Sequence, residues 1–204
     1  MKQQIVLIHG GNTFEVYEEY LDYLKNKPVD LEYFRSKPQW KNSLADDLGP
    51  DFEVLSPWMP NASNAQFNEW KILFERIIGL LNDEAIFLGH SLGAIFLVKY
   101  FSENNYSKRV KAALLIGAPF DNDGGKEKLA SFCLARSLDN FARQCRQIYL
   151  FHSEDDSVVP FVQLAKYQSA LPGAQAMIFK DRGHFNGESF PELVDLIKKL
   201  STQN

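Results

Sequence analysis

Phe87-Leu88-Gly89-His90-Ser91-Leu92-Gly93-Ala94 joins two unlike runs of residues. Before it, Glu84 to Leu88 is apolar and strand-like; after it, Leu92 to about Glu103 has the length and spacing of a helix. A serine hydroxyl is a poor nucleophile, and a sharp strand-to-helix turn remedies this. It lifts the oxygen clear of the backbone, within reach of a base, and aims the first free N–H groups of the helix, Leu92 among them, at developing charge. Gly89 and Gly93 fit because the turn strains the serine backbone and leaves no room for side chains at the flanking positions. G-x-S-x-G between a strand and a helix is the pattern of a nucleophile elbow. The pentapeptide alone also fits an ordinary turn with two packing glycines, so the decision falls to the rest of the chain.

Working outward, strands alternate with helices. Strands are predicted at Ile5 to Ile8, Phe52 to Leu55, Glu84 to Leu88, Val110 to Ile116, Ile148 to His152 and Ala176 to Phe179. Helices are predicted at Phe14 to Asn26, Trp40 to Leu48, Asn64 to Leu81, after Ser91, at Pro160 to Leu171 and at Pro191 to Leu200. Continuous apolar runs such as Ile5-Val6-Leu7-Ile8 suit strands covered on both faces. The alternation calls for a parallel sheet with right-handed crossovers. Phe120 to Asn140 holds only helical fragments and is read as a small cap or cover, spanning 118–140 at most.

With 204 residues, 45% of them hydrophobic, the chain suits one domain over 1–204 with a sizeable core. A net charge of −4 without long runs of either sign argues against nucleic-acid and membrane-surface partners. Cys133 and Cys145 form neither a C-x-x-C pair nor a metal cluster and read as thiols of a reducing compartment. The apolar run at Ile5 is too short for a signal-peptide core, and no stretch approaches the roughly 18 residues of a membrane span. A soluble cytoplasmic protein is expected.

A nucleophilic serine needs a base, and the base needs a third group to hold its tautomer. Both should lie on loops at the C-terminal ends of strands, where open α/β sheets bind their ligands. His184, in Gly183-His184-Phe185-Asn186-Gly187, follows the last predicted strand. His9, His90 and His152 read as structural. On the loop after the fifth strand, Glu154, Asp155 and Asp156 are the acids on offer.

With this elbow, this strand order and a histidine in that place, the chain resembles the α/β-hydrolases over nearly its whole length. It is most similar to the small serine hydrolases related to retinoblastoma-binding protein nine, through Pro57 to Asn61, Trp70, the Gly-His-Ser-Leu-Gly elbow, the Asp-Asp-x-Val-Val-Pro segment and Gly183-His184. The resemblance implies a three-layer sandwich with about six strands in the order 2-1-3-4-5-6 and helices on both faces. It implies Ser91, Asp156 and His184 as nucleophile, acid and base. Asp156 is chosen over Asp155 because the family often carries an Asp three residues before Val-Pro. The oxyanion donors carried over are the N–H groups of Leu92 and of Gly11, with Asn12 the alternative to the latter. Two stretches, Tyr17 to Trp40 and Phe120 to Asn140, depart from the group and border the expected site, so substrate preference does not transfer.

The implied activity is hydrolysis of a small carboxylic ester or thioester, or an amide, without metal or organic cofactor. Phe14, Trp58, Phe120, Phe161 and Phe185 stand beside the motif loops and are the candidates for an apolar acyl pocket. A second class fits the same residues: a non-catalytic member of the fold that grips a ligand or a partner protein. Failure to turn over a panel of aryl esters, with ligand still bound, would select it.

Overall fold

The computed structural model describes residues 2–31, 34–124 and 128–203. Its centre is a six-stranded, wholly parallel sheet in the order β2-β1-β3-β4-β5-β6. The strands are β1 (Gln3–Ile8), β2 (Phe52–Leu55), β3 (Ala85–His90), β4 (Val110–Ile116), β5 (Ile148–Ser153) and β6 (Gln175–Phe179). The predicted order is the observed one. The helices are α1 (Tyr17–Asn26), α2 (Trp40–Leu48), α3 (Phe67–Ile78), α4 (Leu92–Glu103), α5 (Asp139–Gln144), α6 (Val162–Ala170) and α7 (Pro191–Ser201).

Alternation along each central strand separates two cores. Val6, Ile8, Phe87, Ala113 and Leu115 pack with residues of α3, α4 and α6. Ile5, Leu7, Ile86, Leu88, Leu114 and Ile116 face the other way, against Trp40 and Leu44 of α2 and Leu193, Ile197 and Leu200 of α7. Both faces of the sheet are therefore sealed, which explains the unbroken apolar runs. Helix α4 is buried on nearly every side, as expected of a helix that is hydrophobic all round.

Two helices are shorter than their periodicity suggests. The predicted Phe14 to Asn26 helix starts at Tyr17, after Val16 in extended conformation. None of its residues is buried, because its aromatic face closes on Phe14, which meets Tyr20 and Tyr23. At the Asn64 end of the third predicted helix the backbone is diverted: Ala65 N–H donates to the Asn12 carbonyl and Asn64 N–H to Asn61. The helix begins at Phe67.

Of the proposed cover at 118–140, residues 125–127 lie outside the described residues. Leu129, Phe132 and Leu138 of this stretch are buried in the α4-side core, with Phe132 edge-on to Phe67 and Trp70. These residues form a packed wall rather than a detached flap. Tyr17 to Trp40 contains residues 32–33, likewise outside the described residues.

Candidate active site

Ser91 follows β3 and caps α4 with φ 55 and ψ −122. Such left-handed geometry costs a non-glycine residue on the order of 1–3 kcal/mol and is held only by its surroundings. The surroundings are close backbone contacts. A Cβ on Gly93 would overlap the carbonyls of Ile8 and His9, and one on Gly89 would stand 2.5 Å from the Ala94 Cα. The loop after β1 crosses the serine so closely that a Cβ on Gly10 would stand 3.1 Å from the Ser91 Cβ. Among the described residues neither the Leu92 nor the Gly11 N–H has an acceptor. Leu92 opens α4, where the helix dipole adds positive potential.

Asp156 and His184 come together from two other loops. His184 Nδ1–H donates to Asp156 Oδ2 at 2.8 Å, and the Asp156 side chain has no solvent exposure. The second carboxylate oxygen accepts the N–H groups of Val158 and Val159, both at 2.9 Å. Asp155 has a different task. Its Oδ1 accepts the Ser153 hydroxyl at 2.6 Å and the Gly183 N–H at 2.8 Å, tying the acid loop to the histidine loop. These bonds hold its carboxyl below the usual range, the Ser153 bond most strongly.

The exit of β4 supports this pair from below. Ser91 N–H donates to Ile116 O, and Gly117 N–H to Phe151 O. Gly117 has φ +54, and a Cβ there would stand 3.2 Å from the His184 ring and 3.5 Å from Asp156 Oδ2. The Gly-Ala-Pro sequence at a strand end was the only signal for this residue. Another unforeseen residue is the buried Gln163 of α6. Its Oε1 accepts the N–H groups of Phe120 and Asp121, and its amide donates to Asp121 and to the Asp123 carbonyl. A lone glutamine in a helix carries no such message in the sequence.

The other three histidines hold backbone, and each tautomer follows from its partners. His9 donates from Nδ1 to the Gly10 carbonyl at 2.6 Å and accepts the Met59 N–H on Nε2. His152 donates to the Val159 carbonyl. His90 donates from Nε2 to the His184 carbonyl at 2.8 Å, which leaves Nδ1 to accept the Lys41 ammonium at 3.2 Å. Burial pushes all three below the usual imidazole range, His90 furthest.

Ser91 and His184 line one cavity of about 660 Å³. No hydrogen bond joins the Ser91 hydroxyl to His184 among the described residues; such bonds are often long before substrate closes the site. A second, narrow cavity of about 20 Å³ also borders Ser91, lined by Leu92, Pro119, Leu129 and Val159 among others.

Of the five aromatic candidates, only Trp58 lines the large cavity. Phe185 is 3% exposed and lies in the α7-side core, stacked on Phe190 at 5.3 Å. Phe120 packs on Tyr167 and Phe161 on His152, while Phe14 belongs to the aromatic cluster of α1. Phe185 has φ 53, and its side chain turns away from the cavity into the core. Polar side chains of Asn12, Gln39, Lys41, Asn42, Ser56 and Asn186 share the wall with Leu7, Pro57, Trp58, Ala62 and Val158, and most of its surface is apolar.

The chain is similar to the serine hydrolase RBBP9 of Rattus norvegicus, with 28% identity over 155 residues that cover 75% of this chain and 80% of the relative. The ydeN gene product of B. subtilis has a similar fold, with a TM-score of 0.74 at 17% identity over 99% of this chain and all of the other. So does CumD, a meta-cleavage product hydrolase of Pseudomonas fluorescens IP01, with a TM-score of 0.63 at 18% identity over 98% of this chain and 90% of the other. Residues 33–199 match the family described as serine hydrolase, leaving outside the match the chain ends, β1, α1 and the loop between them that carries Gly11. That is well over half of its length, and the chain belongs to the serine hydrolase family.

Proposed function

We propose that the chain cleaves small carboxylic esters or thioesters through an acyl-enzyme on Ser91, with His184 as base and Asp156 as the acid that orients it. The observation that carries this reading is the Asp156–His184 hydrogen bond, with His184 and the strained Ser91 on the wall of one cavity.

His184 Nε2 takes the hydroxyl proton of Ser91 as the oxygen attacks the substrate carbonyl. Asp156 keeps the proton of the other ring nitrogen in place and balances the imidazolium that forms. The N–H groups of Leu92 and Gly11 stabilise the oxyanion, each by on the order of 3 kcal/mol in the barrier. Collapse expels the alcohol or thiol, which receives the proton from His184. Water then attacks the acyl-enzyme, giving its proton to the same imidazole, and the carboxylic acid leaves as Ser91 is restored.

The test is labelling by a fluorophosphonate, read by intact mass. Wild-type protein should gain one label and Ser91→Ala none; a label retained in that variant removes the assignment. Asp156→Asn should keep the fold, judged by circular dichroism, and lower kcat on a 4-nitrophenyl ester by on the order of 10⁴-fold, because the tautomer is no longer held.

A further inference from the structure

Lys41 is the second residue of α2 and lines the large cavity together with Ser91. It is half-buried, and its ammonium donates to His90 Nδ1. Since His90 is neutral and its other nitrogen is committed to the His184 carbonyl, this contact supplies no negative charge. Three other part-buried cations are matched by carboxylates: Lys166 with Asp121 and Asp123, Lys99 with Glu103, Arg182 with Glu192. Among the described residues no carboxylate pairs with Lys41, and the cavity wall contains no Asp or Glu. Burial alone draws its ammonium down to about 8.

A cation held partly out of water without a counter-charge is costly unless something arrives to balance it. The ammonium keeps two N–H donors beyond the one given to His90. The same cavity wall carries the amide side chains of Asn12, Gln39, Asn42 and Asn186, a residue type that can donate to an acid group without competing charge. In a chain with net charge −4, the opening above Ser91 is thus a local positive site. Electrostatic focusing in a cleft of one sign raises the local concentration of the oppositely charged substrate.

We propose that the substrate carries a carboxylate, remote from its scissile carbonyl, which enters the large cavity and pairs with Lys41. As a statement about turnover the inference rests on the hydrolase reading, but as a statement about binding it does not.

The experiment uses two pairs of esters matched in shape and differing in charge. In one pair the charge is on the acyl side: 4-nitrophenyl hemiadipate against 4-nitrophenyl hexanoate. In the other it is on the leaving group: 4-carboxyphenyl butyrate against its methyl ester. The readout is the ratio of kcat/KM within each pair, so a loss shared by both members cancels. Wild-type protein should prefer the anionic member of at least one pair by tenfold or more. Lys41→Met should lower that ratio at least tenfold, and Lys41→Arg should restore most of it. A purely structural Lys41 would slow both members alike and leave the ratios unchanged, and that result overturns the proposal, as does a wild-type preference for the neutral members. Binding of the same esters to Ser91→Ala, followed by quenching of tryptophan fluorescence, gives an answer without turnover. If wild-type protein neither turns over these esters nor takes the fluorophosphonate, the hydrolase reading fails. The charge reading is then decided by whether Lys41→Met, added to Ser91→Ala, weakens hemiadipate tenfold relative to hexanoate.

Discussion

Gly117 is where a single methyl group should separate activity from folding. Its φ of +54 is expensive for any side chain, and a Cβ would press the His184 ring and the Asp156 carboxylate from below. Gly117→Ala should cost about 1–2 kcal/mol of stability from the backbone alone, while kcat falls more than tenfold because the imidazole is displaced. Urea unfolding and ester kinetics on the same preparation check this; unchanged kcat would show that the pair has room to yield. Lys41 gives the pH dependence. With its ammonium at about 8, the cation is present below that pH and lost as pH rises through it. The groups around it do not mask the effect. His9 and His90 are held neutral by burial, and Asp46 and Asp47 sit at the far end of its own helix, where Lys198 donates to the Asp47 carbonyl. KM for 4-nitrophenyl hemiadipate should therefore rise between pH 7 and pH 9 relative to that for hexanoate, and Lys41→Arg should abolish the rise because guanidinium stays charged. Ser91 and His184 could be singled out in the sequence because each follows a strand and its residue type narrows the choice, whereas Asp156 stands beside Glu154 and Asp155 and is selected only by the family resemblance. Lys41 and Phe185 could not be read in this way. A lysine on a helix ordinarily belongs to a solvated face, and nothing local tells an aromatic neighbour of a motif whether it faces the cavity or the core.

At the scale of elements, α2 fastens the loop that carries His184. The Trp40 indole N–H donates to the Phe185 carbonyl at 2.7 Å, the Trp40 backbone N–H donates to the Gly187 carbonyl at 3.1 Å, and Lys41 reaches the His184 carbonyl through His90. Trp40→Phe keeps an aromatic ring against Phe190 but strands a buried carbonyl, a loss of about 1–3 kcal/mol. The loop it loosens bears His184, the proposed base, so kcat should fall along with the urea midpoint. A variant that loses stability yet retains full kcat would show that the loop is held elsewhere. Helix α2 itself has the bounds its sequence suggests, Trp40–Leu48, because its apolar positions meet α7 and its end is set by Gly49. Helix α1 differs for the converse reason. Its apolar face meets no sheet, so the pattern that predicts a core-facing helix marks instead an aromatic cluster beside the loop after β1, where Asn12 donates to the Tyr23 hydroxyl. Periodicity reports that a face is apolar, and only the tertiary arrangement decides what covers it.

For the whole molecule, the sheet divides labour between its faces and its C-terminal edge. The faces hold two sealed cores, while Ser91, Asp156 and His184 stand on loops leaving β3, β5 and β6 at that edge. This much followed from the order of strands and helices alone, since parallel strands gather all their exits on one side. The shape of the cavity did not, because it depends on long-range contacts such as His9 against Trp58 at 5.0 Å. Stability and site chemistry should accordingly respond to different substitutions. Leu193 of α7 is fully buried in the core remote from α4, and Leu193→Ala should cost about 2–5 kcal/mol. Trp58 is 81% exposed on the cavity wall, and Trp58→Ala should change stability by no more than about 0.5 kcal/mol, while raising KM for 4-nitrophenyl hexanoate severalfold. Urea titration followed by fluorophosphonate labelling in buffer measures both properties of each variant. Folded Leu193→Ala protein should label at the wild-type rate, since no atom near Ser91 has moved. If it labels slowly, the α7-side core and the C-terminal edge are mechanically coupled through the loop between β6 and α7, and the division of labour does not hold.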